Sequence, residues 1–253
     1  NKNFDVVIYG ASGFTGKLVA EYMHKQYGQD QSISWAIAGR SKEKLTAVKE
    51  AIGISHDVPL LIVDSNNESS IAEMVQQTKC VLTTVGPYQL YGLNIIKQCA
   101  MHGTDYVDLC GEPGWMHEMI NEYSAQAQET GSRIVFSCGF DSIPFDLGVY
   151  FLQREVISQH GKPALNIRGR VRAMNGEFSG GTAASLGATM ASLKKKPELF
   201  EVLANPFALS NGYIGPEQPR DNKPLFDEKL ETWVAPFFMA PINTKNIHRS
   251  NAL

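Results

Sequence analysis

Apolar, β-branched and aromatic residues fill Phe4 to Tyr9, stop at Gly10, and give way to helical spacing from Thr15 to Tyr27. That is a strand, a tight turn and a helix. The strand signal returns at Ser34 to Ala38. Ser41 then opens a second helix whose apolar Leu45, Val48 and Ile52 recur at helical spacing. Leu60 to Val63 predicts a third strand, Ser69 to Gln77 a helix, and Cys80 to Val85 a fourth strand apolar enough for burial on both faces. Helices near Leu93 to His102 and Met116 to Glu129 alternate with strands at Tyr106 to Leu109 and Arg133 to Ser137. Six strands alternating with helices is the doubly wound α/β pattern of a Rossmann fold, with a parallel sheet.

The rhythm changes after Pro144. A helix from Phe145 to about Glu155 is followed by a strand near Ile167 to Met174, in which Arg168, Arg170 and Arg172 alternate with other residues. Glycine-rich and helical segments come next. The pattern places a dinucleotide-binding domain at 1–144 and a second, substrate or dimerisation domain at 145–253. Asn205 to Pro224, rich in Pro, Gly and Asn, is expected to be a loop and a candidate mobile one. Trp233 to Ile242 is the most apolar stretch outside the first half. Pro236 and Pro241 break any helix there, and ten residues cannot span a bilayer, so it is expected as a core or interface segment.

With 43% hydrophobic and 19% charged residues, the chain of 253 has the composition of an ordinary soluble protein that folds without a partner. A net charge of −3 gives no long-range pull toward nucleic acid or an anionic membrane. The basic run Lys194 to Lys196 is short, precedes Pro197, and is expected as a solvated helix end. Cys80, Cys99, Cys110 and Cys138 contain no C-x-x-C pair, and the six histidines have no metal-binding spacing, so no metal site is expected. Cysteines in apolar runs, no signal peptide and no apolar run of membrane-spanning length together predict a cytoplasmic protein with reduced thiols. The chain opens at Asn1 rather than Met and stops at Leu253 without a closing signal. That leads us to expect a piece of a longer product with an incomplete second domain.

Gly10-Ala11-Ser12-Gly13-Phe14-Thr15-Gly16 lies between the first strand and its helix. Glycine permits the tight turn and lets backbone approach a pyrophosphate, while the helix offers free N–H groups and the positive end of its dipole. Gly10, Ser12, Gly13, Phe14, Thr15 and Gly16 are therefore candidate cofactor contacts. Arg40 follows the second strand, where NAD enzymes place an acidic residue for the ribose 2′-hydroxyl. A guanidinium attracts a 2′-phosphate instead, and Ser41 adds a donor, so the expected cofactor is NADP(H). Gly86 and Pro87 end the fourth strand at the ligand-binding edge, where a small residue lets the cofactor pass close to backbone. Tyr88 follows them as a candidate near the transferred proton, the alternative being a plain turn. Asp141 is the other candidate for that proton. For Asp141 and Ser142, helix capping and catalysis fit the sequence equally well. Asp108 and Glu112 suggest a structural hydrogen-bonding pair rather than an acid/base pair.

No Tyr-x-x-x-Lys and no G-x-S-x-G occurs, which argues against short-chain dehydrogenase and hydrolase chemistry. Together the segments above, with Ser179-Gly180-Gly181-Thr182 and Arg249-Ser250-Asn251-Ala252-Leu253, resemble the saccharopine dehydrogenase-like oxidoreductases, the branch that includes trans-acting enoyl reductases. The resemblance implies a Rossmann domain followed by an α/β domain with an antiparallel sheet that carries substrate contacts and dimer contacts. It further implies hydride transfer to or from an enoyl thioester or imine-type substrate, a small molecule or an acyl group, with part of Trp233 to Ile242 as a candidate wall of an acyl channel and a homodimer as one candidate assembly. The competing class is a non-catalytic NADP(H)-binding redox sensor, distinguished by binding without turnover.

Overall fold

The computed structural model describes residues 2–28, 32–176, 179–219 and 222–253. Its first elements are β1 (Phe4–Tyr9), α1 (Phe14–Tyr27), β2 (Trp35–Gly39), α2 (Lys42–Ile52), β3 (Leu60–Ile62), α3 (Glu68–Gln77) and β4 (Thr78–Thr83). They are followed by α4 (Tyr88–Tyr91), α5 (Leu93–His102), β5 (Asp105–Val107), α6 (Pro113–Thr130) and β6 (Ile134–Val135). Beyond these come α7 (Ile143–His160), α8 (Gly180–Lys195), α9 (Leu199–Ala204), β7 (Leu225–Asp227), β8 (Thr232–Val234) and α10 (Ala240–Ala252). The chain forms two compact units: residues 1–138 with 178–194, and residues 139–177 with 195–253.

In the first unit six strands form one sheet in the order β3-β2-β1-β4-β5-β6, and every pair is parallel. This is the doubly wound order, in which strands are added on one side of β1 as far as β3 and on its other side from β4 onward. The register sets Val7 of β1 opposite Ala36 of β2 and Val81 of β4, all fully buried. Ile8 and Ile37 pack into a core with Ala20 and Met23 of α1 and Leu45 of α2. Full burial of one such aliphatic side chain contributes about 1.5–3 kcal/mol, so this layer fixes where the turn after β1 must lie. The last strands are shorter than the sequence suggests. β5 stops at Val107 and β6 at Val135, because Asp108 and Ser137 turn their polar groups to each other rather than to a ladder.

The second unit differs more from expectation. α7 begins at Ile143 and runs to His160, beyond the expected end near Glu155, and closes on Gly161 in the left-handed conformation. Residues 167–174, expected as a strand, form neither strand nor helix. A strand needs a partner to satisfy its N–H and C=O groups, and no described residue pairs with this segment as a sheet. What sheet exists here is the antiparallel pair β7–β8, with Phe226 opposite Trp233. Lys245, buried on α10, donates to Leu203 O and Pro241 O and so holds the end of α9. Within 205–224 the described residues form turns and irregular chain, anchored by buried Phe207, Leu209 and Ser210; Arg220 and Asp221 lie outside the described residues. In the apolar stretch from Trp233, Phe237 stacks on Phe145 at 5.6 Å and Met239 is buried, whereas Trp233 stays 71% exposed.

The units divide after Cys138, while the sequence boundary at Pro144 falls inside α7. α8, which sequence assigns to the second domain, belongs to the first unit. Lys194 and Lys195 form its exposed end. Among the described residues no helix is long and apolar enough to cross a membrane, and no group of three or more His, Cys, Asp or Glu side chains converges as a metal site would require.

Candidate functional site

The turn after β1 is shaped by its glycines. Gly10 has φ +91°, a conformation that costs a side chain dearly, and a Cβ there would lie 2.8 Å from Thr84 Oγ1 and Val85 Cγ2. A Cβ at Gly16 would lie 2.1 Å from Gly10 O, so the helix can start this close to the turn only with glycine. Gly10 N donates to Ala38 O at 2.9 Å and Gly13 N to Gly10 O at 2.9 Å, which hangs the turn on β2.

Behind this turn α1 begins without a side-chain cap and without an acidic residue in its first turn. α2 and α3 are built differently. Ser41 accepts from Lys44 N, and Asn67 accepts from Ser70 N. An uncapped start leaves the first amides of α1, those of Phe14, Thr15 and Gly16, without helical acceptors. Together with the dipole they form a place for an anionic group. Gly13 and Phe14 are exposed, Ser12 and Thr15 partly buried, and Gly16 buried. The cradle that a Cβ would fill and the free amides behind it fit a dinucleotide pyrophosphate.

Arg40 leaves the end of β2 exposed and forms no ion pair among the described residues. Ser41 is less available than sequence suggests. Its hydroxyl donates to Glu43 Oε2 at 2.8 Å while accepting from Lys44 N at 3.2 Å, so it caps α2. Two cations that sequence reasoning missed stand close by. Lys17 and Lys44 line a cavity of about 530 Å³ with Ser12, Ala47, Val48, Ala51 and Ile52. The spacing of Lys44, three residues after the cap Ser41, is the signal that places it on the first turn of α2.

The loop after β4 lies against the glycine turn. Thr84 N donates to Tyr9 O at 2.9 Å, and Thr84 Oγ1 reaches Gly10 O at 3.3 Å. Gly86 is exposed, Pro87 is buried, and the bond between them is cis. Tyr88, expected near the transferred proton, is 4% exposed. Its hydroxyl donates to Thr83 O at 3.2 Å and accepts from Leu109 N at 3.3 Å. Burial pushes its pKa up strongly. With its one proton committed to backbone, Tyr88 fastens the loop after β4 to that after β5.

Asp108 and Glu112 are both buried and both structural, but they are not partners of each other. Asp108 Oδ1 accepts from Cys110 N at 2.9 Å and Ser137 N at 2.8 Å, and its Oδ2 accepts from Tyr106 Oη at 2.7 Å. Desolvation nonetheless raises its pKa to about 7. Glu112 accepts from Tyr88 N at 3.0 Å, Gln89 N at 2.9 Å and Ser185 Oγ at 2.7 Å. Nothing in the sequence ties Ser185 to residue 112, so this contact was invisible there.

Asp141 lies in the second unit. Its carboxyl is partly buried, and desolvation raises its pKa. Ser142 occupies the N-cap position of α7 without a capping bond; its hydroxyl donates to Asn243 Oδ1 at 2.9 Å, and Asn243 Nδ2 donates to Asp141 O at 2.8 Å. Capping by Ser142 is therefore not realised.

A family model described as the saccharopine dehydrogenase NADP binding domain matches residues 6–135. A candidate trans-acting enoyl reductase of Mycobacterium tuberculosis is 41% identical over all of this chain and 62% of its own length. The trans-acting enoyl reductase of Mycobacterium ulcerans is 35% identical over the same shares, 100% of this chain and 62% of its own. Thus the chain spans 62% of the length of these curated relatives. Among solved structures, the apo saccharopine dehydrogenase (L-Glu forming) of Saccharomyces cerevisiae aligns with TM-score 0.48 and 17% identity, over 62% of this chain and 32% of that one.

Proposed function

The chain belongs to the saccharopine dehydrogenase-like family through its NADP binding domain, and from that membership we propose an NADP(H)-dependent oxidoreductase that acts on an enoyl thioester. The observation that carries the reading is the uncapped start of α1 behind a turn too tight for any residue but glycine at position 16. The names of the mycobacterial relatives support the enoyl class; an imine is the second class to test.

When bound, the dinucleotide supplies a hydride equivalent at its nicotinamide ring. The residues of the chain do the rest. Gly10, Ser12, Gly13, Phe14, Thr15 and Gly16 hold the pyrophosphate through backbone. Arg40 pairs with the 2′-phosphate, with Ser41 at the start of α2 beside it, and Lys17 and Lys44 add positive charge. Gly86 and Pro87 keep the carboxyl edge of β4 free of side-chain bulk. For the proton, Tyr88 serves as a positioning residue. Asp141, a carboxyl whose raised pKa lets it carry a proton nearer neutrality, is the proposed carrier.

Isothermal titration of the chain with NADPH and NADH tests the cofactor half. NADPH should bind at least about tenfold more tightly, and Arg40→Ala should remove about tenfold of that preference, the size of one charged hydrogen bond. Equal affinities in the unaltered chain would refute it. Stopped-flow oxidation of NADPH in the presence of enoyl thioesters tests the reaction. Binding without oxidation by enoyl thioesters or imines would leave the sensor class standing instead.

A further inference from the structure

α8 carries its hydroxyls on one face. Thr182, Ser185, Thr189 and Ser192 recur at intervals of three and four, whereas Leu186 and Met190 are exposed on another side. Three of these hydroxyls meet α4 and the loop after β5. Gln89 Nε2 donates to Thr189 Oγ1 at 3.3 Å, Ser192 Oγ donates to Gln89 Oε1 at 2.5 Å, and Ser185 Oγ donates to Glu112 Oε1 at 2.7 Å. Ser185 has a second neighbour. A Cβ placed on Gly86 would lie 3.8 Å from Ser185 Oγ, so this hydroxyl stands beside the exposed backbone of the loop after β4.

We propose that Ser185 accepts a hydrogen bond from the carboxamide N–H of the nicotinamide, with Glu112 as its positioning carboxylate. The inference rests on the cofactor reading above. In a doubly wound sheet the two halves of the dinucleotide lie on either side of the switch in strand order between β1 and β4. The glycine turn and Arg40 take the adenosine and pyrophosphate side, which leaves the β4 side, and Gly86, to the nicotinamide.

The direction of the bond follows from proton bookkeeping. Glu112 is 2% exposed and as a carboxylate offers only acceptors, and Ser185 gives it the single proton of its hydroxyl. What Ser185 still presents is lone pairs. A thioester carbonyl is an acceptor and gains nothing from them. A primary carboxamide has two N–H donors and does. Ser185 therefore recognises the cofactor rather than the acyl group, and it is no source of the transferred proton.

Calorimetric titration of the chain with three nucleotides tests this. They are NADP⁺, its 3-acetylpyridine analogue, in which a methyl ketone replaces the carboxamide, and 2′-phospho-ADP-ribose, which lacks the nicotinamide. The unaltered chain should bind NADP⁺ about three- to tenfold more tightly than the acetylpyridine analogue, the range of one neutral hydrogen bond. Ser185→Ala should abolish that difference and leave 2′-phospho-ADP-ribose unchanged, while Ser185→Thr retains the difference. Thr189→Ala, on the same face of α8, should alter none of the three affinities. Equal binding of NADP⁺ and the analogue by the unaltered chain overturns the proposal and spares the cofactor reading. The same holds if Ser185→Ala weakens 2′-phospho-ADP-ribose as much as NADP⁺, or if Thr189→Ala reproduces the loss, because the helix would then act only as a strut. If the unaltered chain binds none of the three, both readings fall.

Discussion

Asp108 gathers both backbone donors on one oxygen and the Tyr106 hydroxyl on the other. All three bonds are accepted by the carboxyl and favour its charged form, yet desolvation in this fully buried place outweighs them. Burial raises the pKa from 3.8 to about 7, so between those values the folded state holds a proton that the unfolded state has released. Its contribution to stability is therefore fully present below pH 3.8 and is lost as pH rises through about 7. Asn matches the side chain in shape, keeps an acceptor for the two backbone amides, and carries no charge at any pH. Asp108→Asn should remove a loss of stability on the order of 2–3 kcal/mol between pH 5 and pH 8, read from urea unfolding at the two pH values. An unchanged slope would show that Asp108 stays ionised in the fold. Asp141 gives the catalytic counterpart. Asp141→Asn should lower turnover at least about tenfold and leave NADPH affinity unchanged, as expected of a proton carrier; equal loss of both would make it a structural residue. Gly10 and Gly16 were legible in the sequence as glycines that a tight strand-to-helix turn requires, and the positive φ of Gly10 and the close approach at Gly16 show why. Tyr88 was not, because its position after a strand says nothing about where the hydroxyl finds partners, and those partners, Thr83 and Leu109, belong to two different strand ends.

At the scale of elements, the start of α1 and the starts of its neighbours make opposite predictions. Asn67 caps α3 through Ser70 N, and Asn67→Ala should cost about 1 kcal/mol in thermal or urea unfolding without touching cofactor affinity. Gly16→Ala should do both kinds of damage. Its Cβ would meet Gly10 O at 2.1 Å, so the turn must open, with a loss of about 1–3 kcal/mol and of most NADPH binding in the same titration. Retained binding would mean that the pyrophosphate does not use this turn. The alternation of strands and helices up to β6 was readable because each strand is short, apolar and bounded by turn residues. The segment 167–174 was misread for a physical reason. Alternating Arg168, Arg170 and Arg172 satisfy the period of a strand, but period alone supplies no partner for the backbone. α8 was misassigned to the second domain because its polar face, which ties it to Glu112 and Gln89, looks in sequence like an ordinary surface row.

At the scale of the molecule, the two units have unequal cores. Val7, Ile8, Ala36, Ile37, Ala38 and Val81 in the sheet are fully buried, whereas α7 and α9 of the second unit contain no buried residue. On α7, Leu147, Tyr150 and Phe151 recur on one face, and all are more than half exposed. Local stability follows the apolar surface that an element buries, so opening free energies should differ sharply within the chain. In native-state hydrogen exchange the amides of β1, β2 and β4 should exchange only by global unfolding. Those of α7 between residues 147 and 157 should exchange at least about a hundredfold faster, equivalent to opening that costs about 3 kcal/mol less. Protection of α7 equal to that of β1 would show that its apolar stripe is covered in solution. Repeating the exchange over a hundredfold range of protein concentration separates the two ways this can happen. Protection that grows with concentration would mark α7 as the contact between two copies of the chain, and protection independent of concentration would place the cover within a single chain.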